Sequence, residues 1–203
     1  ENLFRTLAAK DSRMNAFSCG SLETLSVPGI RDALLGFHET WYSANIMCLA
    51  VTSSHSLEDM EGWVRSKFGE VKNKDVVLPS LVEPKPYPPE QLGKLVRYVP
   101  VQDEDTLMIN WYLPYYGDNI AAQPLGYFSE LLGHEGENSL LAFLKSKDLA
   151  LALSATGESE LWGFSYFNVE IALTPNGVEH YEQVIEATYK YIQNLVDAGP
   201  QQY

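Results

Sequence analysis

Cysteine is scarce in this chain: only Cys19 and Cys48 occur in 203 residues. Two thiols so far apart exclude a disulfide-stapled scaffold and a zinc ribbon, which need cysteines in closely spaced pairs. Their scarcity favours a reducing compartment, the cytoplasm. Basic residues are also few: 14 Lys and Arg stand against 27 Asp and Glu, a formal net charge of -13. With no run of Lys and Arg to neutralise phosphates, neither nucleic acid nor an anionic membrane is an expected partner. Long apolar runs are missing. Nothing approaches the roughly 20 apolar residues that cross a bilayer, and no basic segment leads into an apolar one as a signal peptide would. The chain opens on Glu1 rather than Met, so a preceding segment, with any targeting sequence it carried, is expected.

What is present suits a packed core. Hydrophobic residues make up 45% and aromatics 12%, which argues against disorder. The length fits one large domain or two halves of about a hundred residues each.

Along the chain, Leu3, Phe4, Leu7 and Ala8 are spaced as the end of a helix, followed by a polar loop. "VPGIRDALLGFHETWYS" places Ile30, Leu34, Phe37 and Trp41 on one helical face, and "ANIMCLAVTS" reads as a short buried strand. Ser56-x-x-Asp59 caps a further helix carrying Leu57, Met60, Val64 and Phe68, which Gly69 ends. In "LPSLVEPKPYPPEQL" the prolines 79, 84, 86, 88 and 89 forbid both helix and central strand. This stretch reads as an extended linker and the main domain boundary. Beyond it come two strand-like runs, "KLVRYVPV" and "TLMINWYLP", then helices over "AAQPLGYFSELLGH" and "NSLLAFLKSKDL". Two alternating strands follow, "ALALSATGES" and "GFSYFNVEIAL", and a long helix from Thr174 to Gly199 with Val178, Tyr181, Ile185, Tyr189, Ile192 and Val196 on its face. The β-β-α-α-β-β-α order predicts an α+β fold: two-layer sandwiches with a mostly antiparallel sheet and helices packed on one face.

No complete catalytic constellation is legible. "LLGHEGENSL" begins both His-Glu-x-x-His and His-x-x-Glu-His, but Asn138 stands where either needs its second histidine. A zinc helix requires two imidazoles four residues apart and a carboxylate beside the bound water, so this segment is not expected to bind metal. His38, His55 and His180 are isolated. No Gly-x-Ser-x-Gly elbow or phosphate-binding glycine loop occurs, and Cys48, inside an apolar run, reads as core filler.

Three stretches together resemble one family: "GFHETWYSANIMCLAVTSSHSLEDMEGWVRSKFGEVKNKDVVLP", "LLGHEGENSLLAFLKSKDL" and "GFSYFNVEIALTPNGVEHYEQVIEATYKYIQNLVDAGP". They are similar to the insulinase/pitrilysin zinc metallopeptidases, the side of the family that includes insulin-degrading enzyme and nardilysin. The resemblance implies four homologous α+β domains in two halves that close around a chamber. It assigns residues 1–92 to the C-terminal part of the first domain and 93–203 to most of the second, non-catalytic one. The family's zinc ligands would then lie upstream of Glu1, so zinc is a cofactor of the whole protein and no metal ligand is expected here. In the second domain the segment matching the zinc helix by order of elements is Tyr127-Phe128-Ser129-Glu130-Leu131, where Tyr127 and Leu131 replace the two ligands.

The family's glycine turn and the strand after the next helix hold the N-terminal end of a peptide substrate away from the zinc. By resemblance that role passes to Gly133, His134 and Gly136, and to Ser154 and Ala155. The family strand often carries Gly-Gly where this chain has Ala155-Thr156, a departure that bears on the geometry of this surface. The competing reading is that Gly133 and Gly136 only let two helices meet in a tight junction. For the whole protein the resemblance implies a zinc endopeptidase of short peptides, of which these residues form scaffold and substrate-positioning surface and are inactive alone. Its implied partners are peptides and the remaining domains of the same polypeptide. A catalytically silent homologue acting as a structural or peptide-binding subunit is the alternative, and an independent acidic binding module is a third.

Overall fold

The structure, a computed structural model, describes residues 2–17, 19–80, 86–100, 104–119, 121–160 and 163–200. The chain divides into two compact units, one of residues 1–15 with 81–203, the other of residues 16–80. In chain order the regular elements are α1 (Asn2–Leu7), α2 (Leu22–Leu25), α3 (Ile30–Trp41), α4 (Leu57–Phe68), β1 (Thr106–Pro114), α5 (Pro124–Leu132) and α6 (Leu140–Ser146). They continue with β2 (Ala150–Glu160), β3 (Phe164–Leu173), α7 (Pro175–Glu179) and α8 (Tyr181–Ala198).

In the larger unit the three strands form an antiparallel sheet ordered β1-β3-β2. Period-two alternation sends Leu153, Phe167, Val169, Ile171 and Leu173 to one face, where they meet Leu132, Leu140, Leu141, Leu144 and Val184 from α5, α6 and α8. Each large apolar side chain buried there contributes about 1.5–3 kcal/mol. The expected α+β class, with helices packed on one face of an antiparallel sheet, is what the chain adopts.

The other sheet face carries Met108, Asn110 and Tyr112 from β1, Ser154, Thr156 and Glu158 from β2, and Tyr166, Asn168 and Glu170 from β3. Only one end of it is closed by aromatic packing. Tyr87 stacks on Tyr112 with ring centroids 4.0 Å apart, and Tyr112 lies 5.9 Å from Phe164. The Tyr87 hydroxyl donates to the Phe4 carbonyl at 3.0 Å, and Ala9 N–H donates to Pro86 C=O at 3.0 Å, which ties the N-terminal segment to this end of the unit. Burial pushes the Tyr87 phenol above its usual range, with Tyr112 and Arg5 offsetting part of the shift. The proline-rich stretch thus holds no more than a 3-10 turn at Pro89–Gln91, as its prolines require, yet at Pro86 and Tyr87 it is buried instead of running as a free tether. Its residues 81–85 lie outside the described residues.

A corner between α6 and β2 docks on the start of α7. Thr174 caps α7 by accepting from Gly177 N–H at 2.9 Å, while its own hydroxyl donates to Asp148 C=O at 2.6 Å. Thr174 N–H donates to Leu149 C=O at 3.2 Å. Gly177 is buried against that same carbonyl, and a Cβ there would collide with it.

Four expectations are corrected. The long helix is broken at His180, whose φ of -119° and ψ of 30° separate α7 from α8. The expected face holds in part: Tyr181, Ile185 and Ile192 are half-buried while Val178, Tyr189 and Val196 are exposed, and the deepest positions are Val184 and Thr188, with Tyr191 and Leu195 half-buried beside them. "KLVRYVPV" forms no strand over its described residues 94–100, which carry no regular secondary structure. Arg97 instead packs on Tyr181, its guanidinium 5.1 Å from the ring centre and donating to the hydroxyl at 2.7 Å. "ANIMCLAVTS" begins as a 3-10 turn at Ala44–Ile46, leaves it through an extended Met47, and joins no sheet among the described residues. An extended segment becomes a strand only by pairing its N–H and C=O groups with a neighbour. Here its ties to the returning segment are few: Ala44 N–H to Lys72 C=O at 3.0 Å, and the side chains of Asn45 and Ser43 to Val76 and Lys74. Cys48, read as core filler, is exposed for the same reason.

In the smaller unit α3 and α4 form as expected. The Ser56 hydroxyl accepts from Asp59 N–H at 3.1 Å and donates to its carboxylate at 2.9 Å, and Gly69 ends α4. Their apolar faces stay open, however: Leu34, Leu35, Phe37, Leu57, Trp63 and Phe68 are all exposed.

Candidate functional site

The five candidate residues fall on two elements that the fold brings together. Gly133 ends α5, donating to Ser129 C=O at 2.8 Å in an ordinary helical conformation. A Cβ on Gly133 would lie 3.7 Å from Ala155 N and 3.8 Å from Ala155 Cβ, so the end of α5 abuts the middle of β2. Both are ordinary van der Waals distances; the tight neighbour of such a Cβ is the Ser129 carbonyl oxygen of the same helix, at 2.8 Å. The left-handed residue of this turn is Asn138, with φ 65°, a conformation asparagine tolerates better than most residues. Position 138 thus serves the chain reversal into α6. Ser139 then caps α6, accepting from Ala142 N–H at 3.0 Å.

Gly136 is exposed, and its C=O accepts from Ser139 N–H at 3.2 Å. The exposed His134 ring lies over it: a Cβ at position 136 would come within 2.5 Å of His134 Nε2. His134 and Gly136 are therefore neighbours in one turn, and Gly133 lies near the strand that bears Ser154 and Ala155. The two strand residues point to opposite faces. Ala155 pairs with Val169 and is half-buried on the helix-covered side, whereas Ser154 pairs with Glu170 on the open side and is exposed.

β2 is an edge strand: within its unit it pairs with β3 alone among the described residues. Its second row of N–H and C=O groups is what an extended chain needs in order to add to a sheet. Sequence reasoning missed the open-face neighbours Thr156, Glu158 and Glu170, although the period-two alternation of β2 and β3 carries that information. On this face the Tyr166 hydroxyl donates to Glu158 Oε2 at 2.8 Å, and Asn168 Nδ2 donates to Asn110 Oδ1 at 2.8 Å. β1, β2 and β3 contain no Lys or Arg.

The donor set does not fit a metal. His134, Glu135 and Glu137 are exposed on the turn, and among the described residues no three His, Cys, Asp or Glu side chains come close enough to hold an ion. On α5, Tyr127 and Leu131 flank the exposed Glu130, and neither can ligate zinc as an imidazole does. A cavity of about 780 Å³ lies elsewhere, between α6 and α8, lined by Phe143, Lys147, Gln183, Lys190 and Tyr191 among others, and includes none of the five candidates. No helix among the described residues is long and apolar enough to cross a membrane.

Residues 30–203 match the model of the peptidase M16 inactive domain. The chain is 36% identical to insulin-degrading enzyme of Drosophila melanogaster over 98% of its own length and 21% of that protein. To human nardilysin it is 34% identical over 99% of its length and 18% of that protein. A crystal structure of pitrilysin superposes with a TM-score of 0.90 at 25% identity, covering 98% of this chain and 22% of that one. The chain therefore spans about a fifth of the length of the proteins it matches. A family match over well more than half of its residues and a shared fold lead to one conclusion: the chain belongs to the M16 peptidase family, in the part described as its inactive domain.

Proposed function

We propose that this chain forms part of a zinc-dependent endopeptidase that degrades short peptides in an enclosed chamber, and that its own share is scaffold and substrate-positioning surface. One observation carries the positioning role: β2 is an exposed edge strand among the described residues, and the end of α5 at Gly133 lies beside its middle at Ala155. An extended peptide adding to that edge would gain main-chain hydrogen bonds, and the low-profile turn at Gly133, His134 and Gly136 would leave room beside it. Ser154 and Ala155 then supply the strand positions such a peptide pairs with.

Zinc enters this reading as a cofactor held outside these residues, whose donor set does not suit it. The partners are peptide substrates and the remaining domains of the same polypeptide, in keeping with relatives about five times longer. Residues 1–92 would close a first domain and 93–203 make up most of a second. The cytoplasm is the proposed compartment, on the scarcity of cysteine.

Two experiments test the reading. Mixed with zinc and a quenched fluorogenic peptide, the 203-residue chain should give no turnover above background; zinc-dependent cleavage would refute the assignment of catalysis to other residues. Replacing Gly136 by leucine displaces the His134 ring but strains no backbone, since Gly136 is not among the glycines with positive φ. Peptide affinity should fall while the unfolding midpoint holds, and an unchanged affinity would count against the turn as part of the surface.

A further inference from the structure

We infer that the β2 edge selects basic extended peptides, reading lysine or arginine at alternate positions through Glu158 and Glu170. The inference rests on the substrate-positioning reading above and adds the substrate class.

The argument follows from register. A chain pairing with β2 places every second side chain on the open face, beside Ser154, Thr156 and Glu158, because side chains alternate along a strand. Directly opposed Cβ atoms are about 4.5–5.5 Å apart, within reach of an ion pair. A peptide residue opposite Glu158 meets an exposed carboxylate held by the Tyr166 hydroxyl, which donates to Oε2 at 2.8 Å. A residue opposite Ser154 meets only a small hydroxyl. Past it, one strand further in, stands the exposed Glu170, Ser154's partner on β3. A long cationic side chain can lie over Ser154 and bring its charge to Glu170, a span of about two strand spacings of 4.8 Å shared between two long side chains. The middle position, opposite Thr156, faces the neutral pair Asn168 and Asn110.

Nothing on this surface favours an acidic peptide. The three strands carry no Lys or Arg, and the chain as a whole has net charge -13. An acidic side chain at either position would meet a like charge across the pair, which is destabilising. The positions flanking each basic residue turn toward the helix-covered side, by Ala155 and Gly157, and so take small or apolar side chains. The recognised pattern is therefore alternating, basic on one face and small or apolar on the other.

The test uses the full chain and fluorescein-labelled peptides of alternating Thr and Lys, alternating Thr and Gln, and the Thr-Lys peptide N-methylated at alternate amides. Such peptides can always place all their long side chains on the open face, whichever way they pair. At low ionic strength the Lys peptide should bind about three- to tenfold more tightly than the Gln peptide, the range for two solvent-exposed ion pairs, and the ratio should shrink with added salt. In the double variant Glu158→Gln, Glu170→Gln the ratio should approach one while affinity for the Gln peptide is unchanged. Gln keeps an acceptor for Tyr166, so the sheet itself is not perturbed. Equal affinity for Lys and Gln peptides in the parent chain overturns the charge preference and leaves the edge reading standing. A preference that survives in the double variant overturns the assignment to these two carboxylates. If N-methylation leaves binding unchanged, or neither peptide binds, the edge is not the site and both readings fall.

Discussion

Changing Gly177 to alanine should destabilise the larger unit although the residue lies in a helix, where that exchange normally helps. Gly177 sits in the first turn of α7 with a backbone that alanine can adopt, and removing unfolded-state freedom would by itself add about 0.4–1 kcal/mol. The obstacle is the Leu149 carbonyl, which occupies the space of the new Cβ and belongs to backbone, so no side-chain rotation relieves the overlap. Moving it stretches the Thr174 N–H bond to Leu149 C=O, 3.2 Å long, and disturbs the buried Leu149 side chain. Overpacking of this kind costs about 1–3 kcal/mol and the weakened hydrogen bond about 1 kcal/mol. The net loss is then about 1–3 kcal/mol, or a fall of roughly 0.5–1.5 M in the urea midpoint. Gly126, inside α5, is the matched control: the nearest atoms to its would-be Cβ are those of Gln123 at 3.8 Å, an ordinary contact. Gly126→Ala should raise the midpoint by the equivalent of about 0.5–1 kcal/mol. Equilibrium urea unfolding followed by circular dichroism compares both variants with the parent. If Gly177→Ala unfolds at or above the parent's midpoint, the account of the α6–β2 corner is wrong.

Further outcomes follow from the same contacts. Tyr87→Phe removes the donor to the Phe4 carbonyl and should cost about 0.5–1.5 kcal/mol in the same assay; an unchanged midpoint would show that this bond contributes nothing. Because burial raises the Tyr87 pKa above its unfolded value of 10.0, its share of stability is complete below that pH and is lost as pH rises through the raised value. Alkaline unfolding of the parent should therefore be steeper than that of Tyr87→Phe, and identical profiles would contradict the linkage. Ser139→Ala deletes the cap of α6 and should cost about 1 kcal/mol, whereas Ser146→Ala, at the far end of the same helix with its exposed hydroxyl on Phe143 C=O, should change the midpoint much less.

How much was legible in the sequence depended on whether an element carries its own determinants. β2 and β3 lie where alternation placed them, β1 where its strand-like run stood, and α4 starts at the serine read as its cap, because period and cap chemistry are local. The break at His180 was not legible, since the apolar spacing of residues 174–199 runs through it without interruption. The apolar run at residues 44–53 read as a strand because composition reports what a segment could bury, while a strand also needs a partner that composition does not supply. Cys48 followed that segment to the surface.

The candidate site shows the same division. Asn138 could be seen to spoil a metal motif, and the structure supplies the positive reason for it, a left-handed residue before the cap of α6. That the end of α5 at Gly133 lies near Ala155 relates segments more than twenty residues apart, out of reach of any spacing rule. The strand it approaches is an edge strand among the described residues, and it carries no Lys or Arg. Its open face shows Ser154, Thr156 and Glu158, with Glu170 of β3 across from Ser154, an arrangement that follows from period-two alternation once the pairing partner is known. With Ala155-Thr156 in place of two glycines, the strand has side chains and less backbone freedom at its middle.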